Sequence, residues 1–277
     1  MWKSIRLFLT ASLAGTLVVA PIEAAASSVT AAALPSLEPI SPWEMLPGEG
    51  KCTVARSYRA SDGPIFLSFH ESVSGRSFQL AVEASAKGVS PIVGEYRGRV
   101  EIPGGAIERW GLNSVGDNGA SVESIGLSPA EMSRIAAADT MTVRMDGSPD
   151  RTFDVTGVAE AVGQLGSCTA KVRHEWHVDG KSEKGITYAR GDVRSILAQG
   201  IAQWTVRNLR SGTVQFILLI DESGKAAECD LEEPSGAPLV EAVGCQLLRR
   251  EAKFQPARDK SGKAVKDSLV TPMVVLK

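Results

Sequence analysis

Four cysteines, Cys52, Cys168, Cys229 and Cys245, constrain this chain more than any other feature. All lie beyond a leading stretch with the layout of an export signal. Lys3 and Arg6 give a short basic region, and Leu7 to Ala20 form an uncharged apolar run of about 14 residues. Ala24-Ala25-Ala26 then offers the small-x-small pattern that a signal peptidase reads, with cleavage expected before Ser27. The apolar run stops at Pro21 and is followed by Glu23, short of the roughly 20 residues that a spanning helix needs. Cleavage therefore leaves a chain with no stable membrane span. In an oxidising compartment an even number of cysteines reads as two disulfides, with three connectivities open. No Cys-x-x-Cys pair occurs, so the usual spacing for redox catalysis and for a zinc knuckle is missing.

About 250 residues remain after residues 1–26, enough for one large or two ordinary domains. An apolar content of 43% supplies a core, and a net charge of -2 argues against a nucleic-acid partner, which calls for a basic surface.

Residues 27–47 carry Pro35, Pro39, Pro42 and Pro47 and read as an irregular, extended lead. From Cys52 the pattern turns strand-like, with apolar residues at every second position over Ile65 to Phe69 and Phe78 to Val82. Ser128-Pro129-Ala130-Glu131 opens a short helix as a capping box, and Asp146-Gly147 marks a hairpin turn. Val158, Ala161, Val162, Leu165, Cys168, Val172 and Trp176 recur at three- and four-residue steps, predicting a helix with one apolar face. The polar, glycine-containing stretch 179–191 reads as a linker. Two domains are expected, 48–178 and 192–277. In the second the pattern gives a helical lead, strands over Thr213 to Ile220 and Lys225 to Leu231, a helix from Pro238 to Glu251, and a closing strand from Ser268 to Val275.

The second domain contains an ordered series of motifs. Gly212-Thr213-Val214-Gln215-Phe216 is followed by Ile220-Asp221-Glu222-Ser223-Gly224-Lys225, Cys229-Asp230-Leu231 and Pro234-Ser235-Gly236-Ala237-Pro238-Leu239. Cys245 leads through Ala252-Lys253-Phe254-Gln255-Pro256-Ala257 to Asp259-Lys260-Ser261-Gly262-Lys263-Ala264-Val265. Over about residues 205–277 this resembles the carboxy-terminal domain of TonB energy transducers. The resemblance implies a β-β-α-β unit, a periplasmic location, and uptake of an extended peptide from an outer-membrane transporter at an exposed strand edge. Cys229 and Cys245 stand 16 apart, a spacing seen in that group, and this points to the pairing Cys229–Cys245 with Cys52–Cys168, one bridge per domain. Residues 7–20 hold no histidine and the proline stretch is short, so the resemblance extends to the binding module and not to proton-driven energy transduction. Trp43, the series Cys52, Arg56 and Tyr58, and the late Leu165, Cys168 and Trp176 resemble the N-terminal region of TonB-domain proteins of some alphaproteobacteria.

Motifs for chemistry are sparse. His174-Glu175-Trp176-His177 is not His-Glu-x-x-His and reads as a solvated helix end; His70 reads as a strand cap. No Gly-x-Ser-x-Gly, Ser-x-x-Lys or phosphate-binding loop occurs. No catalytic residue, cofactor or metal is assigned. Residues 221–233 hold six acidic side chains against one lysine, and 249–267 hold seven basic against three acidic; this reads as a solvated surface, with steering of a charged partner as the alternative. The fold expected is α+β in two domains, a strand-rich first domain closed by a helix and a TonB-like second. The function expected is protein–protein interaction, not enzymatic, through the closing edge formed by Leu269, Val270, Thr271, Met273, Val274 and Val275. The alternatives are a periplasmic enzyme with its site in 48–178, and a self-associating structural envelope protein.

Overall fold

Period-two burial runs through most of the first half of the chain. On β4 (Gly63–Glu71), Ile65, Leu67 and Phe69 turn inward while Phe66 is exposed; on β5 (Phe78–Ala84) the inward set is Phe78, Leu80, Val82 and Ala84. The computed structural model describes residues 35–48, 50–84, 94–116, 119–178, 193, 195–197 and 212–276. Around this hairpin stand β1 (Ser36–Pro39), β2 (Glu44–Gly48), β3 (Lys51–Ala60), β6 (Gly94–Ile102), β7 (Gly105–Val115) and β8 (Ser121–Leu127), joined by β9 (Thr140–Met145) and β10 (Arg151–Asp154). The strand order is β1-β10-β9-β6-β7-β8-β5-β4-β3-β2, and β1 also pairs with β3, so nine strands close into a barrel. β1 lies parallel to β10, and the other pairings around the ring are antiparallel.

A barrel of this strand number is filled by its own side chains. Val54, Tyr58, Leu67, Phe69, Leu80, Val100, Ile125, Met141 and Phe153 form one continuous core. Space inside is made by glycine. A Cβ on Gly98 would stand 2.8 Å from Ile125 Cδ1, and one on Gly111 would stand 2.8 Å from Met145 Cε. These walls give up side chains so that Ile125 and Met145 fit, as close packing requires.

Two helices complete this part. α1 (Pro129–Ala136) starts on the Ser128–Glu131 capping box, with Met132 and Ile135 buried. α2 (Val158–Glu175) lays Val158, Ala161, Leu165, Thr169 and Val172 against β2, β3 and β4, and Cys168 is bonded to Cys52 on β3.

The remaining elements are β11 (Gly212–Val214), β12 (Phe216–Ile220), β13 (Ala226–Leu231), α3 (Pro238–Glu251), β14 (Ala257–Arg258), β15 (Ala264–Val265), β16 (Asp267–Val270) and β17 (Val274–Leu276). β13, β12 and β16 form an antiparallel sheet with β12 in the middle, and all five residues of β12 are buried. Its two faces go to different places. Phe216, Leu218 and Ile220 pack with Val240, Leu248 and Phe254 under α3, whereas Ile217 and Leu219 join the core of the barrel. Cys229 on β13 is bonded to Cys245 on α3.

This overturns the expectation of an α+β fold in two domains. The described residues are mainly β, built on a closed nine-stranded barrel, and from residue 35 on they belong to one compact unit in which Ile217 and Leu219 share a core cluster with the barrel residues. The expected lead corrects as well. Ser36 and Leu37 pair with Thr152 and Phe153, while Glu38 and Pro39 pair with Arg59 and Tyr58, so part of the proline-containing stretch closes the barrel. Proline withholds a donor but is tolerated in a short strand whose halves serve different neighbours. Arg56 fastens this seam: its guanidinium donates to Ser41 O at 3.0 Å and Thr156 O at 3.1 Å, and it lies over the Trp43 and Tyr58 rings. Residues 1–34, the linker 179–191 and most of the expected helical lead lie outside the described residues.

Candidate functional site

The closing stretch is not one strand. Thr271 is buried, and its backbone N–H donates to Phe216 O while its hydroxyl accepts from Phe216 N. Its carbonyl accepts from Gln215 Nε2. Pro272 has no N–H with which to continue the ladder. The chain therefore leaves β12 here, and β17 pairs with β11 instead, Val275 opposite Thr213 and Val274 opposite Val214.

That leaves β16 as a four-residue strand hydrogen-bonded, among the described residues, to β12 alone. Its first residues are covered by the end of α2. His177 Nδ1 lies 3.2 Å from Lys266 O and 3.7 Å from Asp267 Oδ1, and Lys266 Nζ reaches Glu175 at 2.9 Å and stands over the Trp176 ring. Among the described residues, no strand pairs with the outer side of Ser268 to Val270. Of the side chains expected to form the edge, Leu269 packs on the core beneath α3, Val270 and Met273 are 45% and 61% exposed, and Thr271 is buried. The edge thus divides between β16 and the β11–β17 ribbon.

Behind this sheet a polar latch joins it to the barrel. His70, on β4, places Nδ1 2.7 Å from Cys52 O and Nε2 3.3 Å from Asp230 Oδ2. Val73 N also donates to Asp230 Oδ2, Ser72 Oγ donates to Leu231 O, and Ser74 Oγ donates to Glu232 O. Burial pushes the Asp230 carboxyl up, but His70 and the backbone N–H groups of Val73 and Leu231 outweigh it and hold the carboxyl below its ordinary range.

Beside the latch a cleft of about 260 Å³ lies between the outer wall of the barrel and the β13–α3 layer. Its lining includes His70, Ser77, Gln79, Ser124, Asp230, Glu241 and Arg249. Burial pushes the Glu241 carboxyl up, and the hydrogen bonds from Ser235 offset only part of that.

Sequence reasoning placed the four cysteines, and the structure pairs them as Cys52–Cys168 and Cys229–Cys245. It did not find the latch. His70 was read as a strand cap, yet it lies within β4, 8% exposed, with its carboxylate partner 160 residues away. No local pattern signals that pairing. His177 bonds to the β16 segment, and no group of three or more metal-ligating side chains occurs among the described residues. No helix among them is long and apolar enough to cross a membrane. Comparison with protein-family models, with curated proteins and with solved structures finds no match to this chain.

Proposed function

We propose that this protein is an exported, periplasmic interaction module that takes up an extended peptide as an added strand along β16. The partner proposed is the periplasm-facing segment of an outer-membrane transporter. The observation that carries the reading is the one-sided pairing of β16, with Val270 and Met273 exposed beside its free length. Strand addition takes its affinity from main-chain hydrogen bonds and its selectivity from alternate side chains, and a rigid, disulfide-tied sheet presents those groups already ordered. The motif series from Gly212 to Val265 that resembles TonB carboxy-terminal domains supports the choice of partner. The basic-apolar-small layout of the first 26 residues and the two disulfides support the compartment.

The test is titration of labelled periplasm-facing transporter peptides against the full mature chain. Successive residues of an antiparallel strand direct their backbone groups to opposite neighbours. Proline at Ser268 or at Leu269 therefore removes a donor on the free side in one variant and on the β12 side in the other. The free-side variant should bind about tenfold more weakly at an unchanged melting temperature, the loss expected of one backbone hydrogen bond with its alignment. Absence of binding by any such peptide sinks the reading, and self-association measured by sedimentation would then favour the structural alternative.

A further inference from the structure

We propose that the cleft between the barrel and the β13–α3 layer binds a neutral, hydroxyl-rich small molecule the size of a single sugar ring. Ser77 and Ser124 are 5% and 6% exposed, both line the cleft, and among the described residues their hydroxyls have no hydrogen-bond partner. Ser72, also in the lining, is different: its hydroxyl is committed to Leu231 O at 2.6 Å. Neither oxygen is a fully enclosed atom, so both hydroxyls open onto the cleft, where solvent or a bound molecule supplies the partner that the fold does not. Gln79 lies on the same wall, one strand from Ser124, and its amide adds a donor and an acceptor with no partner among the described residues.

The charges in the lining explain why the ligand is neutral. The Asp230 carboxylate is occupied by His70 at 3.3 Å and by the Val73 N–H, and Arg249 is paired with Glu228 at 3.5 Å. Lys51 and Glu241 contribute one charge of each sign. The groups left free are hydroxyls and an amide, each both donor and acceptor, which is the complement of a polyol and not of an ion. Leu112 and Pro234 supply an apolar wall for the C–H face of a ring. At about 260 Å³ the cleft is at the small end for a ligand site, where typical pockets start near roughly 300 Å³, so it admits one ring and not a chain of them.

This inference is independent of the peptide edge, because no residue of β16 lines the cleft. The experiment titrates D-glucose and D-glucuronate, as neutral and anionic probes of one ring size, into the full mature chain and follows backbone amide shifts. Glucose should bind saturably and shift amides near Gln79, Ser124 and Asp230, with glucuronate at least about fivefold weaker. Ser77→Ala and Ser124→Ala should each weaken glucose about fivefold, the share of one hydrogen bond. Gln79→Ala, at an exposed position on β5, repeats the test should either serine variant fail to fold. The proline variants of β16 should leave glucose binding unchanged, which separates this proposal from the peptide reading. No saturable shift with glucose, equal or tighter binding of glucuronate, or glucose binding indifferent to the serine and glutamine changes would each overturn it.

Discussion

His70 and Asp230, 160 residues apart in sequence, meet at 3.3 Å, and each is nearly enclosed, with side chains 10% and 12% exposed. The pair joins the wall of the barrel to the β13 edge, and its energetics carry a pH signature. The Asp230 carboxyl is held below its ordinary range in the fold. Its contribution is therefore present above the unfolded value, about pH 4, and is lost as pH falls through the lower folded value. Melting followed from pH 6 to pH 2 should show wild type losing more stability below pH 4 than Asp230→Asn does. At pH 7 the same substitution should cost about 2 kcal/mol, since hydrogen bonds to a charged acceptor are worth roughly 1.5 to 3 kcal/mol and Asp230 takes them from His70 and Val73. Parallel curves for the two proteins would mean that the pair contributes nothing.

Glu71 behaves in the opposite sense. It ends β4 beside α2, its Oε2 is buried without a hydrogen-bond partner, and burial pushes its carboxyl up despite Thr169, Arg173 and His70. A carboxyl with a raised folded value imposes no penalty below its unfolded value and a growing one as pH rises through the folded value. Glu71→Gln should raise the melting temperature at pH 7, and the gain should vanish near pH 4.

Arg56 is the fastener of the barrel seam. Arg56→Met keeps the length of the side chain but removes its hydrogen bonds to Ser41 O and Thr156 O and its place over Trp43 and Tyr58. Hydrogen bonds from a charged donor are worth roughly 1.5 to 3 kcal/mol, so a loss of about 2 kcal/mol in urea unfolding is expected. Amides of β1 should exchange faster than those of β7 and β8, since β1 depends on that clamp.

Gly244 decides how closely α3 approaches the sheet. A Cβ there would stand 2.4 Å from the ring of Phe216, which is fully buried. Alanine in an open helix position gains about 1 kcal/mol over glycine, whereas overpacking a core costs typically 1 to 3 kcal/mol. With a wholly enclosed ring in the way, the second effect dominates. Gly244→Ala should lower stability by about 2 kcal/mol, measured by chemical denaturation.

The elements that depend on a few neighbouring residues were legible in the sequence. The capping box at Ser128, the apolar face of α2 and the alternation of β4 and β5 read directly from spacing. So does the turn at Asp221, whose carboxylate takes the N–H groups of Ser223 and Lys225 and is repeated at Asp259 with Ser261 and Lys263. In each turn the glycine, Gly224 or Gly262, adopts the positive φ that its place in the motif requires. These features are set within about five residues, and sequence spacing carries them completely.

What the tertiary structure decided is where those elements went. Pro39 looks like a strand breaker until β10 and β3 stand on either side of a four-residue β1, and then it lies in the strand that closes a barrel. Ile217 and Leu219 alternate with Phe216, Leu218 and Ile220 like any strand buried on both faces. Only the fold shows that one face belongs to the core of the barrel, which merges what composition and a polar linker divided into two domains. His70 and Asp230 carry no signal at all in sequence, since each acquires its meaning from a partner 160 residues away. Local propensity fixes backbone conformation through neighbours along the chain. Closure, shared cores and buried charge pairs are set by which surfaces meet, and that is determined only when the whole chain has packed.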